Sequence, residues 1–324
     1  MEGINRKMEK WRLLWGAPRL AVRPSGEKRI RKWFLIFPLV LVLFGMGGKT
    51  PAATFMDEAG RRLEIGGPPR RIVSVAPNVT EILFALGLED RVVGVSIYCQ
   101  HPPEALQKEK IGGYINPSLE RIIALRPDLV VGIAEGDLRA FVDKLADLKI
   151  PVYIANPRDT LEVLNSIRKI GEVTFAPNRA QEIVRSMEAR IERVRQKVQS
   201  RLRPRVLHVL DFNPLISAGK GTFIDDLIRI SGGRNMAETA MGKYPRFSME
   251  EILVQDPEVI LLASMKSRDP LVKQRKWWER WKKISAVKEG RIYVLDSDLI
   301  HRPSPRIVDG LEEVARAIHP EAFK

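Results

Sequence analysis

The chain has 324 residues, 54 Lys+Arg against 40 Asp+Glu, a formal charge of +14, four His and one Cys. That length suggests about two domains of roughly 100–200 residues and a core that needs no disulfide or structural metal. The lone Cys99 excludes an internal disulfide and any C-x-x-C pair. At 44% hydrophobic and 29% charged the chain is not disordered, and +14 taken alone points to a nucleic-acid or anionic-membrane partner.

The charge is unevenly placed. Residues 1–32 carry ten Lys/Arg and three Glu, and the uncharged run WFLIFPLVLVLFGMG follows at 33–47. The small, turn-prone stretch from Gly48 to Ala53 comes next. A basic region, a short apolar run and a small-residue exit form the plan of a secretory signal peptide over 1–53. The run falls short of the ~20 residues of a spanning helix, and Pro38 interrupts it. An uncleaved membrane anchor is the alternative. No Cys follows the apolar run to take a lipid. Residues 1–53 hold 11 Lys/Arg against 3 acidic residues, a net of +8; the rest holds 43 against 37, a net of +6. The basic excess is largely a targeting device.

Residues 54–69 read as a polar lead-in ending in Gly66-Gly67-Pro68-Pro69. Strands are then expected at 71–76, 92–95, 129–133 and 152–155, with helices over 79–87 and 117–125, the latter capped by Asn116 with Pro117 at its first position. From Pro177 to about Leu202, apolar residues recur every three or four positions (Ala180, Ile183, Val184, Met187, Ile191, Val194, Val198, Leu202), the mark of one long helix. It carries no glycine, so it links what flanks it as a rod. Strands at 206–210, 259–263 and 292–295 and helices at 222–231, 248–255 and 305–318 follow. Alternating β and α imply parallel sheets covered by helices. The expected layout is a signal peptide (1–53), an N-terminal α/β lobe (54–175), a linking helix (176–203) and a C-terminal α/β lobe (204–324).

The two series share a repeat. GGYINPSLERIIALRPDLVV at 112–131 and GKYPRFSMEEILVQDPEVIL at 242–261 match at an offset of 130 through Gly112/Gly242, Tyr114/Tyr244, Ser118/Ser248, Glu120/Glu250, Ile122/Ile252 and Pro127/Pro257. Each unit reads as loop, helix, turn and strand, with a Tyr before the helix and a Glu in its first turn. A carboxylate there is favoured by the helix dipole alone, and Ser248 with Glu251 forms a capping box that leaves Glu250 no cap role. One such Glu per lobe suits two-point docking on a basic partner and lies too far from its mate for the ~5–10 Å acid–base geometry of a glycosidase. The Tyr pair, joined by Tyr98 after a strand end, suits a cleft that grips a flat ligand beyond the carboxyl ends of the strands.

RIVSVAPNVTEILFALG (71–87), VVGVSIYCQHPP (92–103) and IGGYINPSLERIIALRPDLVVG (111–132) resemble the helical-backbone (class III) periplasmic binding proteins of ABC importers, which carry cobalamin, iron-siderophores or haem. The likeness runs from about residue 57 to 318. The Tyr98-Cys99 to Ala105 segment and the segment following Ile111 lean toward the cobalamin-binding branch. The resemblance implies two lobes joined by one long helix, a ligand between them, and no enzymatic activity. It implies that Tyr98, Tyr114 and Tyr244 pack on a corrin, that Asp298 and Arg302 reach its amide periphery, and that Glu120 and Glu250 engage arginines of the membrane permease. It implies a monomer in the periplasm that serves a permease and its ATPase, without bound cofactor. Tyr at 114 and 244, where relatives often carry Trp, and Ile216, where an aromatic is common, leave haem or a ferric siderophore as the alternative ligand; a phenolate can meet haem iron.

Other signals carry less. Cys99 with His101 offers two ligands, too few for a closed metal site. His208 falls on a strand, and His301 in the cleft loop, where an axial or ligand-adjacent contact is open. The basic residues at 266–283, interleaved with Trp277, Trp278 and Trp281, suggest a nucleic-acid face but resemble a helix that packs its Trp inward. Neither G-x-G-x-x-G nor G-x-S-x-G occurs, and no His/Glu/Cys cluster supports an exported enzyme.

Overall fold

Residues 54–69, expected as a polar lead-in, begin with a hairpin. Ala53–Met56 (β1) pairs antiparallel with Arg62–Ile65 (β2). The Asp57 carboxylate accepts from the backbone of Ala59 and Arg61 and closes the turn. Each strand is four residues long and alternates more and less exposed positions, too short a run for its period to stand out. This computed structural model describes residues 52–134, 139–263, 273 and 275–324. The leader read over 1–53 lies, up to Pro51, outside the described residues, as does part of the basic, Trp-rich stretch.

Ile72–Ser74 (β3) is buried on both faces, as a strand between two helical layers must be. With Val92–Val95 (β4), Glu109–Lys110 (β5), Leu129–Ile133 (β6) and Val152–Ala155 (β7) it forms a parallel sheet in the order β5-β4-β3-β6-β7. The second lobe repeats the plan. Arg205–Val209 (β8) leads into a two-stranded turn, Asp211–Phe212 (β9) with Leu215–Ile216 (β10). With Arg234–Asn235 (β11), Val259–Leu262 (β12) and Ile292–Val294 (β13) it makes a parallel sheet ordered β11-β8-β12-β13.

The covering helices are Pro77–Ala85 (α1), Leu119–Ala124 (α2), Arg139–Asp147 (α3), Thr160–Val173 (α4), Pro177–Val198 (α5), Phe223–Ile230 (α6), Met249–Gln255 (α7), Ser285–Lys288 (α8), Ser297–Ile300 (α9) and Ile307–Ile318 (α10). Helices α3, α4, α8 and α9 lie where the sequence led us to expect no element. Helix α2 starts two residues later than expected. Its cap is Ser118, whose hydroxyl accepts from the Arg121 amide, while Asn116 and Pro117 remain in the preceding loop, where Pro117 bridges back to Gly112.

Helix α5 has 22 residues and so spans ~33 Å. Ala180, Val184, Met187, Ile191, Val194 and Val198 form its buried stripe. Leu202, expected on that stripe, lies past the helix end and is 91% exposed. From Ala180 to Val194 the stripe belongs to one continuous core that includes Ile72 and Leu129 of the first lobe and Val259 and Leu311 of the second. Arg190 of α5 adds ion pairs to Asp309 (2.6 Å) and Glu312 (2.9 Å) of α10. The linker is therefore packed into both lobes along its length. Each lobe keeps a second core on the other face of its sheet; in the second lobe this surrounds fully buried Trp278, with Trp277 and Trp281 against it and Arg275, Lys276 and Lys282 exposed.

The repeat is a repeat of backbone. Gly112 and Gly242 both have positive φ, and Ser118 and Ser248 both cap their helices. Arg126 and Asp256 both sit at φ 45° where the helix ends. Asp128 then accepts from the Arg70 and Arg71 amides, and Glu258 from the Arg205 amide. Each carboxylate ties the start of its strand, β6 or β12, to the neighbouring strand of the sheet.

Candidate functional site

The carboxyl ends of both sheets face one cleft. Pro77 and Asn78 follow β3, Tyr98 follows β4, Ile133 ends β6, and residues 297–303 follow β13. Together they line a cavity of about 590 Å³ with Tyr114, Ile115 and Asn116 of the first repeated loop. A smaller cavity of about 280 Å³ adjoins it. It is lined by Asn156 and Pro157 beyond β7, Leu210 beyond β8, Thr222 and Phe223 at the start of α6, and Tyr244. Ile133, His301 and Pro303 line both and form the partition. This is where open parallel sheets bind ligands, and the larger volume falls in the range of small-molecule sites.

The larger cavity has two unlike walls. On the first lobe Tyr98 and Tyr114 meet edge to face, ring centroids 5.5 Å apart. Tyr98 is held from behind: Cys99 is fully buried with its thiol 3.1 Å from the Thr80 hydroxyl, and burial raises the thiol pKa. Cys99 is thus a packing residue, and among the described residues no group of three or more His, Cys, Asp or Glu is placed to hold a metal. On the second lobe Arg302 pairs with Asp298 at 2.8 Å. Its other terminal nitrogen lies 3.6 Å from Glu81, beyond hydrogen-bonding reach, and is buried without a hydrogen-bond partner.

Outside that lining, a charged lock joins the two lobes. Glu81 on α1 is 4% exposed. It accepts from the Ser304 hydroxyl (2.5 Å) and from Arg306 through both Nε (2.9 Å) and Nη2 (2.7 Å). Donating to the Glu81 carboxylate raises the Arg306 pKa and outweighs the opposing effect of burial. A second link joins the Thr160 amide to Asp226 of α6 at 3.0 Å. Neither lock was foreseen. The signal for the first is Ser304-Pro305-Arg306 in the cleft loop, but only the fold reveals its partner 223 residues away.

Of the residues singled out from the sequence, Tyr98, Tyr114, Asp298 and Arg302 line one cavity, and Tyr244 lines the smaller one and is 60% exposed. Glu120 and Glu250 lie outside both cavities, exposed in the first turns of α2 and α7. His208 is fully buried on β8, its ring edge to face with that of His301 at a centroid distance of 5.4 Å. Burial lowers both pKa values, that of His208 well below 6.5 and that of His301 to about 4.

The sequence profile of the periplasmic binding proteins matches residues 72–299. An uncharacterised ABC transporter substrate-binding lipoprotein of Bacillus subtilis is 32% identical over 319 residues, covering 92% of this chain and 99% of its own. A solved periplasmic vitamin B12-binding protein of Vibrio cholerae superposes with a TM-score of 0.69 at 28% identity over 79% of this chain and 99% of its own. A periplasmic haem-binding protein of Pseudomonas aeruginosa gives the same TM-score at 27% identity over 78% and 93%.

Proposed function

The chain belongs to the periplasmic binding protein family and has its class III fold, the substrate-binding component of an ABC importer, and we propose that it captures a corrinoid between its lobes and delivers it to the permease. One observation carries the ligand reading: the larger cavity sets the Tyr98–Tyr114 aromatic wall against the Asp298–Arg302 pair. Aromatic faces suit a flat macrocycle. A paired carboxylate and guanidinium suit a fringe of amides, which both donate and accept hydrogen bonds. Tyr244 extends the contact from the other lobe. Glu120 and Glu250, one on each lobe and outside the cleft, are the docking handles for basic residues of the permease. In this reading the leader exports the chain, which acts as a monomer and catalyses nothing.

Haem or a ferric siderophore is the second reading. The uncharged His301 ring in the cleft favours it, as does the likeness to a haem-binding protein. Titration with cobalamin, haemin and a ferric siderophore, followed by Tyr and Trp fluorescence and ligand absorbance, separates them. Tight 1:1 binding of cobalamin with weak binding of the others is expected. Binding of haemin alone transfers the assignment to the second reading, and binding of none removes both.

A further inference from the structure

Asn78, the second residue of α1, is 3% exposed, and its side chain is the exception among the polar groups of that first turn. The Thr80 hydroxyl bonds to the Ser74 hydroxyl (2.7 Å) and the Ala76 carbonyl (3.2 Å). Glu81 is taken by Ser304 and Arg306. Asn near a helix start ordinarily turns its carboxamide onto a backbone amide. Here Ala76 is the N-cap, no side chain caps the helix, and among the described residues Asn78 Nδ2 is buried with no hydrogen-bond partner. A stranded polar group weakens a fold, so one kept in the interior calls for a reason.

Three of the described residues that line the larger cavity carry such an orphaned atom: Asn78, His301 and Arg302. His301 has both ring nitrogens closed off, and the orphaned nitrogen of Arg302 lies against Glu81 at 3.6 Å. Asn78 differs. Its Oδ1 accepts from no described residue and yet is not among the sealed atoms, so the oxygen is the end of the carboxamide that the cavity reaches. It stands on the first lobe, beyond the carboxyl end of β3, in the same lining as Tyr98, Tyr114, Asp298 and Arg302. A carbonyl oxygen takes an N–H donor and repels a second acceptor. A primary amide on the rim of a ligand supplies that donor. A carboxylate in its place has none to give and would stand acceptor to acceptor.

We propose that Asn78 is a specificity-determining residue: its carboxamide oxygen accepts a hydrogen bond from a side-chain amide of the bound macrocycle, so the site prefers an amidated rim to a carboxylated one. The inference rests on the corrinoid reading above and narrows it to the chemistry of the ligand's periphery. The amide fringe is then read from both lobes, by Asn78 on the first and by the Asp298–Arg302 pair on the second.

The test compares cyanocobalamin with its monocarboxylic acids, each with a single rim propionamide hydrolysed, in fluorescence titrations of wild type, N78L and N78A. The wild type is expected to bind at least one monoacid about tenfold more weakly than cyanocobalamin. Both variants lose about tenfold in affinity for cyanocobalamin and bind that monoacid no worse than the parent. Leu and Ala differ in bulk, so a loss common to both marks the missing amide and not a change of shape. A cooperative thermal transition establishes that each apo variant is folded. Unchanged affinity for cyanocobalamin in either variant overturns the proposal and leaves the corrinoid reading intact. A loss that keeps the wild-type ratio of monoacid to cyanocobalamin also overturns it, reducing Asn78 to a packing contact, as does a wild type that tells no monoacid from the parent. No binding of cyanocobalamin by the wild type overturns both.

Discussion

In both lobes a glycine at positive φ, a capping serine, a first-turn glutamate and a left-handed residue closing the helix follow one another at the same spacing. The side chains between them have parted. In the first lobe the loop is tight: a Cβ on Gly112 would come within 3.2 Å of the Asn116 carbonyl oxygen and the Ser118 amide, and Tyr114 packs on Tyr98. In the second lobe the same loop is open: nothing lies within 4 Å of a Cβ on Gly242, and Tyr244 is largely exposed. The second lobe contributes its polar groups from the segment after β13 instead. The shared skeleton fixes where each helix begins, and hence where Glu120 and Glu250 stand. The divergent loops give the cleft one aromatic wall and one charged wall. Under the proposed function, a duplicated backbone would serve a symmetric partner and an asymmetric ligand at once.

The strongest way to break this comparison is at the glutamates. Glu120→Ala with Glu250→Ala is expected to drop uptake to background while ligand affinity stays unchanged, read by transport assay and fluorescence titration. Equal partial losses from the two single changes would sharpen the equivalence of the lobes, and a loss of affinity would refute the docking role.

Next comes the contact that holds the two halves together. Glu81→Ala strands Arg306 and Ser304 in the interior and is expected to cost about 3–5 kcal/mol in denaturant unfolding. Splitting of the unfolding curve into two transitions would show that the lobes fold separately once the lock is gone.

Acid should distinguish the lobes, because His208 and His301 both belong to the second. Burial keeps His301 uncharged, with a folded pKa of about 4 against 6.5 unfolded. The unfolded chain therefore binds the proton first, and stability falls as pH drops from about 6.5 toward about 4, by roughly 3 kcal/mol for this group. Hydrogen exchange across that window should loosen β8 and α9 before β3 and β4; loss of protection in the first lobe first would contradict this.

The smallest effect compares the two glycines. Gly112→Ala adds a close backbone contact to an unfavourable φ and is expected to cost about 2 kcal/mol, against about 1 for Gly242→Ala, where only the φ penalty applies. Equal shifts in thermal midpoint would mean that the tight loop relaxes freely.

Much of the architecture was legible because its signals are local. β4, β6 and β7 fall where apolar runs place them, and the Ser248–Glu251 capping box forms as its spacing predicts. The helix at 177–198 announces itself by period. What escaped was set by distance or by competition. The β1–β2 hairpin owes its place to Glu58, whose amide donates to the Ile154 carbonyl nearly a hundred residues on. Ser118 took the cap from Asn116 because the loop turns back on Gly112 before the helix can start. For the cleft, sequence motifs identify Tyr98, Tyr114, Asp298 and Arg302 as candidates, but pairings such as Glu81 with Arg306, or His208 with His301, exist only once the chain is folded.

The lock at Glu81 reaches beyond stability. A receptor whose halves are joined by a buried ion pair, a shared core and a packed helix would present nearly the same outline empty or full. The permease would then meet two look-alike visitors. Unloaded copies would occupy its docking site as readily as loaded ones, so overproducing this protein at fixed ligand supply should slow import rather than speed it. The ratio of carrier to transporter in the cell envelope becomes a quantity the cell must control.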